Sequence, residues 1–312
     1  MNGLRSKLKD TNVRVIFPYV AFMAVFLIFA ITQTDRFLTF TNMKTIAQQS
    51  AVMAIVAFGL LFVIVQGSID LSIGAVMGFA GIICADLAQI SVPLAIVAGI
   101  AIGAGVGLIN GLIYTYLKIP SMITTIGMQM ILGGYTVIYS HSNSIPFSRD
   151  MKSLGKYPKI LIILAVVFVI CFILLKYTVF GRYCIAIGGD KRVCQLNGIP
   201  TKKINILGFL VSGILAAIGG IIMGCRLGAA VPTTGVGYEF ECITAVSLGG
   251  ASLAGGVGSI FNTLVGAMII SMLSNGLVIM GVDSEMQEVC TGIVLILAVC
   301  ISLDRERAGT IK

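Results

Sequence analysis

The chain has 312 residues, of which 57% are hydrophobic and only 11% are charged, and its mean hydropathy is +1.03. So few charged side chains cannot cover a water-soluble domain of this length. The net charge is +8, but the basic residues lie in short loops beside long apolar runs, which argues against a nucleic-acid-binding surface and predicts no nucleic-acid partner.

Uncharged runs recur along the chain, and they are long enough to cross a hydrocarbon layer about 30 Å thick as helices. They do not alternate as the strands of a membrane barrel would. The sequence therefore predicts an all-α polytopic membrane protein with a single transmembrane domain over residues 1–312. The predicted spans are 15–33, 48–66, 70–88, 93–115, 121–140, 160–176, 204–225, 238–253, 259–280 and 288–303, of which the eighth is the weakest.

The distribution of Lys and Arg predicts the orientation. Most of these residues fall on one side if the N-terminal segment 1–14 is cytoplasmic, and both termini are then expected inside. The basic loop 141–159 is the one part that argues against this orientation. The first apolar run is of full membrane length and lacks an A-x-A site, so no cleavable signal peptide is expected.

The stretch QGSIDLSIG at 66–74 places a carboxylate between two apolar runs. Gly67 and Gly74 each weaken a helix by about 1 kcal/mol relative to Ala, so the sequence predicts a broken or re-entrant segment. Asp70 and Ser72 either line a substrate path or form a tight turn that caps the third span. Both can hold, because irregular backbone in a membrane survives only beside protein or a water-filled cavity.

Four other polar residues lie inside predicted spans. Asn110 and Asn275 either line a path or link helices by hydrogen bonds. Thr125 is expected to bond its own helix backbone, and Gln129, one turn further on, is the better path candidate. We keep all four as translocation-path candidates.

Two segments align without a gap at an offset of 165, namely INGLIYTYLKIPSMITTIG at 109–127 and SNGLVIMGVDSEMQEVCTG at 274–292. The glycine-rich loop 249–258 is expected to be a loose counterpart of the break at 67–74, and its Gly249 and Gly250 join the path candidates. Spans 2–5 would then repeat as spans 7–10. A shift of five spans is odd, which predicts an inverted repeat, an arrangement common in transporters.

The longest hydrophilic stretch, residues 176–203, is predicted to be cytoplasmic. Asp190 can cap a short helix, Gly198 can end it, and turns are expected at Gly188–Gly189 and before Pro200. This segment is either a helix that contacts another protein or a solvated loop. At the outer mouth, Arg226, Glu239 and Glu241 are expected to meet a partner protein, pair with each other or remain solvated.

The chain resembles the membrane permeases of ribose-type (simple-sugar) ABC importers. The resemblance rests on QGSIDLSIGAVMGFAG, GLINGLIYTYLKIPSMITTIGM, GRYCIAIGGDKRVCQLNGIPTKKIN, RLGAAVPTTGVGYEFECITAVSLGGASLAGGVGSIFNTLVGAMII and SNGLVIMGV, which follow one another from about residue 50 to 303. It implies a ten-span inverted repeat in a bacterial inner membrane. It also implies three partners: a second permease subunit, identical or different; a cytosolic ATPase with two nucleotide-binding halves; and an extracellular sugar-binding protein.

The resemblance further implies a coupling helix that sits in a groove of the ATPase. The matching positions are Gly181, Arg182, Gly188, Gly189, Asp190, Gly198 and Ile199. Family members often carry Asn followed by two Ala where this chain has Asp190, Lys191 and Arg192, so the groove is expected to be more acidic. Arg226, Glu239 and Glu241 become candidate contacts for the binding protein.

No covalent chemistry is expected of this chain. It has no Walker A pattern, so ATP hydrolysis must come from a partner, and no metal or cofactor is predicted. The cysteines form no C-x-x-C pair and are expected to pack as small core residues. Three alternatives remain: a permease for nucleosides or branched-chain amino acids, a stand-alone secondary transporter, and, with only one peripheral histidine, a membrane-embedded enzyme.

Overall fold

The computed structural model describes residues 2–302, with side chains from 16 to 300. The basic residues Arg305, Arg307 and Lys312, which entered the orientation prediction, lie outside this range. The helices are α1 (Asn2–Thr32), α2 (Thr34–Phe37), α3 (Phe40–Ile64), α4 (Ile73–Leu87), α5 (Val92–Leu112), α6 (Ser121–Ser140), α7 (Arg149–Leu154), α8 (Lys159–Lys176), α9 (Val179–Gly189), α10 (Lys191–Leu196), α11 (Thr201–Leu227), α12 (Tyr238–Leu248), α13 (Ile260–Ile279) and α14 (Ser284–Ser302).

A π-helical turn (Ile113–Leu117) extends α5, and the strands β1 (Ile145–Pro146) and β2 (Ala229–Ala230) pair antiparallel. The architecture is all-α, as predicted. Every predicted span contains a helix, although the eighth ends at Leu248 rather than 253. Among the described residues, six helices are long and apolar enough to cross a membrane, namely α3, α5 with its π-turn, α6, α8, α11 and α13.

Helices α3 and α11 form the centre of the molecule. Every residue of α3 from Ser50 to Ile64 is buried, and most of α11 is buried as well. A helix that is apolar and buried on all sides belongs to the core of a bundle rather than to its surface. The remaining long helices pack around this pair, with α5 and α4 along α11 and with α13, α8 and α12 along α3.

Glycines allow α5 to lie unusually close to α11. Gly103, Gly107 and Gly111 recur every four residues, and a Cβ on Gly103 or Gly107 would collide with a backbone carbonyl of α11. A Cβ on Gly111 would lie 2.8 Å from the Cα of Ile206. In a membrane, such small residues let helix backbones approach and pack by van der Waals contact. The pattern is visible in the sequence, but our sequence analysis did not use it.

The helices α4 and α12 begin beside each other and run apart. A Cβ on Gly74 would collide with the carbonyl oxygen of Gly235, and a Cβ on Gly235 would collide with that of Gly74. Irregular segments, 65–72 and 228–237, lead into the two helices. From there α4 runs toward the strand pair at the end of α11, and α12 runs toward the start of α11. Two broken segments, 65–72 and 228–237, therefore meet in the interior, whereas the sequence predicted breaks at 67–74 and 249–258.

Candidate functional site

The break before α4 contains a network of buried hydrogen bonds. Asp70 is 1% exposed, and its Oδ1 accepts hydrogen bonds from the backbone N of Ser72 at 3.0 Å and from the Ser72 hydroxyl at 2.6 Å. Its Oδ2 accepts one from the Ser212 hydroxyl at 2.8 Å. The Asn110 amide of α5 donates to Ser72 Oγ at 2.9 Å. The carboxylate thus joins the start of α4 to α5 and α11.

The same break is held by the beginning of α6. Thr125 donates to the Ser121 carbonyl at 2.9 Å, as expected for a threonine that bonds its own helix. Its Oγ1 also accepts a hydrogen bond from the backbone N of Leu71 at 3.1 Å, and Ser121 Oγ accepts one from the backbone N of Ile69 at 3.2 Å. Backbone groups of the irregular segment are therefore satisfied by side chains, as they must be away from water. Ser212 and Ser121 were missed by our sequence analysis.

A second polar contact lies where α4 and α12 begin. Glu239, in the first turn of α12, is 2% exposed, and its Oε1 accepts a hydrogen bond from Gln129 Nε2 at 2.6 Å. A Cβ on Gly74 would lie 2.5 Å from Glu239 Oε2. Glu239 was expected at the outer mouth as a contact for a binding protein. Its burial means that an external protein cannot reach it in this conformation, whereas Arg226 and Glu241 are half-buried.

Asn275 lies apart from both contacts. Its amide donates to Asn42 Oδ1 at 2.9 Å, which links α13 to α3. The next residue, Gly276, lies against the ring of Phe29 in α1. Both Asn110 and Asn275 therefore form hydrogen bonds between separate parts of the fold, the second of the two roles considered above.

A third cluster joins helix α9 to the break. A Cβ on Gly188, in the last turn of α9, would collide with the Val65 carbonyl and with the backbone N of Gly256. Gly256 N itself donates to the Val65 carbonyl at 2.9 Å. A Cβ on Gly255 would lie 2.7 Å from Gly67 N and 2.8 Å from the Cα of Gly188. We call Val65, Gly67, Gly188, Gly255 and Gly256 the glycine junction.

The structure around the glycine junction differs from the turns predicted at Gly188–Gly189 and agrees with the glycine-rich loop predicted at 249–258. Helix α9 continues through Gly188 and Gly189, where turns were predicted, and the chain bends instead at Asp190, whose φ is −157°. Close packing explains why Gly188 lies here, since a larger side chain at position 188 would not fit this contact. The loop 249–258 does carry out-of-helix glycines, with Gly250 at φ +80°, and Gly249 packs on the start of α13.

Helices α9 and α10 are firmly attached to the bundle. The ring of Phe180 stacks on Phe62 of α3 with centroids 5.6 Å apart. Gln66, which our sequence analysis did not single out, donates to Cys184 Sγ at 3.1 Å and to the Ile204 carbonyl at 3.4 Å. It thereby connects the end of α3 to α9 and α11.

Helix α10 has the cap and the stop that the sequence predicts. Asp190 Oδ1 accepts hydrogen bonds from the backbone N of Arg192 at 2.8 Å and of Val193 at 2.9 Å, and Gly198 has φ +75°. Its outer face exposes apolar residues, with Leu196 81% and Val193 50% exposed. Lys191 lies 5.0 Å from the ring centre of Tyr114, and the basic Lys191 and Arg192 border that apolar face.

Comparison with known proteins gives the chain its family. The family described as "Branched-chain amino acid transport system / permease component" matches residues 42–299. The chain belongs to this permease family. It is therefore a multi-pass membrane protein and a transport component.

Curated relatives match along nearly their whole length. The ribose import permease protein RbsC of Escherichia coli K12 is 36% identical over 293 residues, covering 89% of this chain and 91% of the relative. RbsC of Bacillus subtilis 168 is 36% identical over 304 residues, with 94% and 93% covered. The xylose transport system permease protein XylH of Haemophilus influenzae is 30% identical over 372 residues, with 96% and 99% covered. No solved structure matches this permease.

Proposed function

We propose that this permease forms the translocation path of an ABC importer for a simple sugar, a pentose or hexose delivered by an extracellular binding protein. The similarity to ribose, xylose and D-allose permeases supports the substrate class. The observation that carries the mechanism is the glycine junction, because it joins the helices that face the cytosol to the irregular segments inside the bundle.

The proposed assembly contains two copies of the permease, or this chain and a similar one, together with a cytosolic ATPase that has two nucleotide-binding halves. Residues 1–312 form one permease domain in a bacterial inner membrane, with residues 1–14 and 176–203 and both termini in the cytosol. The coupling residues are those named above from Gly181 to Ile199. The exposed Val193 and Leu196, bordered by Lys191 and Arg192, suit an apolar groove with acidic edges.

The helix pairings support ten crossings and an inverted repeat. Helix α5 packs along α11 as α13 packs along α3, and α6 packs on α4 as α14 packs on α12. Spans 2–5 are α3 to α6, and spans 7–10 are α11 to α14. When each span is exchanged for its counterpart, the pair α5–α11 becomes α13–α3 and the pair α6–α4 becomes α14–α12. The same exchange pairs the break at 65–72 with the segment 228–237, because each lies between the first two spans of its half. The loop 249–258 follows α12 and is not the counterpart expected above.

Nucleotide binding to the ATPase would draw the two coupling segments together. Because α9 is packed at Gly188 against Val65 and Gly256, its displacement would shift the end of α3 and the loop after α12 together. Packed elements of this kind switch between discrete arrangements rather than bend gradually. The path would then open alternately to the two sides around the crossing of the broken segments.

Substitution at the glycine junction tests this mechanism in the assembled importer. Gly188→Ala is expected to reduce ATP-driven sugar uptake at least tenfold, because the new Cβ overlaps backbone atoms on both neighbouring segments. ATP hydrolysis should continue, since the ATPase itself is unchanged. Gly105→Ala on α5 is the control, because a Cβ there meets no atom within 4 Å. Equal uptake by the two variants would contradict transmission through the junction.

Charge reversal on α10 tests the contact with the ATPase. We expect the double variant Lys191→Glu, Arg192→Glu to insert normally but to hydrolyse ATP without importing sugar. Normal uptake by this variant would contradict the coupling assignment. Uptake that persists after ATP depletion with a proton gradient intact would instead indicate a stand-alone carrier. Because the family description names branched-chain amino acids, these amino acids and nucleosides belong in the same uptake assay as competing substrates.

A further inference from the structure

Three of the buried oxygens without a hydrogen-bond partner lie at one level of two neighbouring helices. They are Oε2 of Glu239 on α12 and, on α3, Oγ of Ser50 and Oε1 of Gln49. Buried polar atoms are nearly always partnered by protein or ordered water, because an unpartnered one costs roughly 1–3 kcal/mol. Several such atoms in one region therefore point to a further molecule that supplies the hydrogen bonds.

The three oxygens belong to the same level of the bundle. Met53 Sδ of α3 lies 3.6 Å from Cys242 Sγ of α12. The two helices run in the same direction, since α3 ends at the glycine junction and α12 leads into the loop that contributes Gly255 and Gly256 to it. Ser50 precedes Met53 by one turn and Glu239 precedes Cys242 by one turn, which places Ser50 and Glu239 at the same level of the two helices.

Two further elements border this place. Gln129 reaches it from α6 and donates to Glu239 Oε1 at 2.6 Å. Gly74 lies at the start of α4, and its missing side chain leaves room for Glu239 Oε2. The site is thus formed by α3, α4, α6 and α12, at the crossing of the two broken segments, where an opening path would expose it first.

The charges at this level favour a neutral ligand. Glu239 sits in the first turn of α12, where the helix dipole stabilises a carboxylate. Neither α6 nor α12 contains Lys or Arg. Lys44, the basic residue of α3, lies over the rings of Phe40 and Tyr157. A solute with its own carboxylate would be repelled by Glu239. Hydroxyl groups, in contrast, donate hydrogen bonds to carboxylate and amide oxygens and accept them from an amide N–H.

We propose that Glu239 and Gln129, together with Ser50, bind the hydroxyl groups of a neutral sugar as it passes through the protein. Two neighbouring hydroxyls donate to Oε1 and Oε2 of Glu239, and Gln129, displaced from Oε1, donates to a third sugar oxygen. In the structure described here, the Gln129–Glu239 hydrogen bond closes the site between α6 and α12. This inference rests on the proposed function, and it makes Glu239 a substrate contact rather than a contact for the binding protein.

The experiment uses the complete importer in proteoliposomes, with its ATPase, its binding protein and ATP. D-ribose, D-xylose and D-allose are tested first, and the transported sugar is then compared with its deoxy analogues, each saturating the binding protein. Glu239→Gln is expected to lower sugar uptake about tenfold. It should also bring the ratio of sugar uptake to deoxy-analogue uptake close to one. ATP hydrolysis that is stimulated by the loaded binding protein should persist. Asp86→Asn is the matched control, since it makes the same change on an exposed acid at the other end of α4.

The outcomes separate this inference from the proposed function. Absence of ATP-driven uptake of any of the three sugars by the wild-type importer contradicts the proposed function. If the wild-type importer takes up a sugar, and Glu239→Gln has the same uptake rate and the same ratio of sugar to deoxy-analogue uptake, only the inference is overturned. The unpartnered oxygens then bind water. If Glu239→Gln fails to assemble, Ser50→Ala decides, because it removes a single unpartnered oxygen. A few-fold fall in the ratio of sugar uptake to deoxy-analogue uptake in Ser50→Ala supports the site, and an unchanged ratio overturns it.

Discussion

A buried acid lies in the first broken segment and another lies directly after the second, but the two acids differ in their hydrogen bonds. Asp70, before α4, has both carboxylate oxygens bonded to donors of the protein, from Ser72 and Ser212. Glu239, at the start of α12, has one oxygen bonded to Gln129 and the other unpartnered. A buried carboxylate with satisfied oxygens stabilises the fold, whereas one with a free oxygen is available to a ligand. The sequence alone would have ranked Asp70 as the path residue.

The largest expected effect follows from replacing each acid with alanine. Asp70→Ala leaves the Ser72 amide and the Ser212 hydroxyl buried without an acceptor, at about 1–3 kcal/mol for each group. We expect a large fall in the thermal unfolding midpoint of the detergent-purified protein. Glu239→Ala should change that midpoint much less, because it loses one hydrogen bond and Gln129 is half-buried and can reach water. If Glu239→Ala were the less stable of the two, the comparison would be reversed.

Gly74 lies between the two acids and sharpens the comparison from the backbone side. A Cβ there would collide with Gly235 and lie 2.5 Å from Glu239 Oε2. Overpacking of this kind typically costs about 1–3 kcal/mol, so Gly74→Ala should lower both the unfolding midpoint and sugar uptake. Gly127→Ala on α6 is the control. A Cβ there meets no atom within 4 Å, and the change gains up to about 1 kcal/mol of helix propensity.

A Gly74→Ala variant with wild-type stability and uptake would contradict the close crossing of the two broken segments. The measurement requires both readouts, because a fall in uptake alone does not separate displacement of Glu239 from loss of folded protein. The unfolding midpoint is therefore measured first, on protein recovered from membranes in equal amounts.

Apolar run lengths predicted the helices, and the helix around Lys191 was predicted from Asp190 and Gly198, because those signals are local. The path of 228–237 was not predicted, since its burial depends on contact with a distant segment. Helix propensity also failed at Gly188, where packing against Val65 outweighs the preference of glycine to end a helix. One signal for Glu239 was present: the repeat offset of 165 pairs it with Gly74, and the two residues meet in the structure.

The smallest expected effect comes from single hydroxyls. Ser212 donates to Asp70 at 2.8 Å, so Ser212→Ala should lower stability by about 1 kcal/mol, the usual contribution of one hydrogen bond. Ser247 on α12 is equally buried, but its hydroxyl has no partner. Ser247→Ala should therefore be neutral or slightly stabilising.

The two serine variants are compared by their unfolding midpoints in the same detergent. Both changes remove one buried oxygen and leave a cavity of the same size, so the difference between them reports the hydrogen bond itself. A fall in stability confined to Ser212→Ala would support the view that the network around Asp70 is a structural support of the fold. Equal falls for both serines would mean that lost packing, rather than the bond to the carboxylate, determines stability at this break, and the distinction between Asp70 and Glu239 would lose its physical basis.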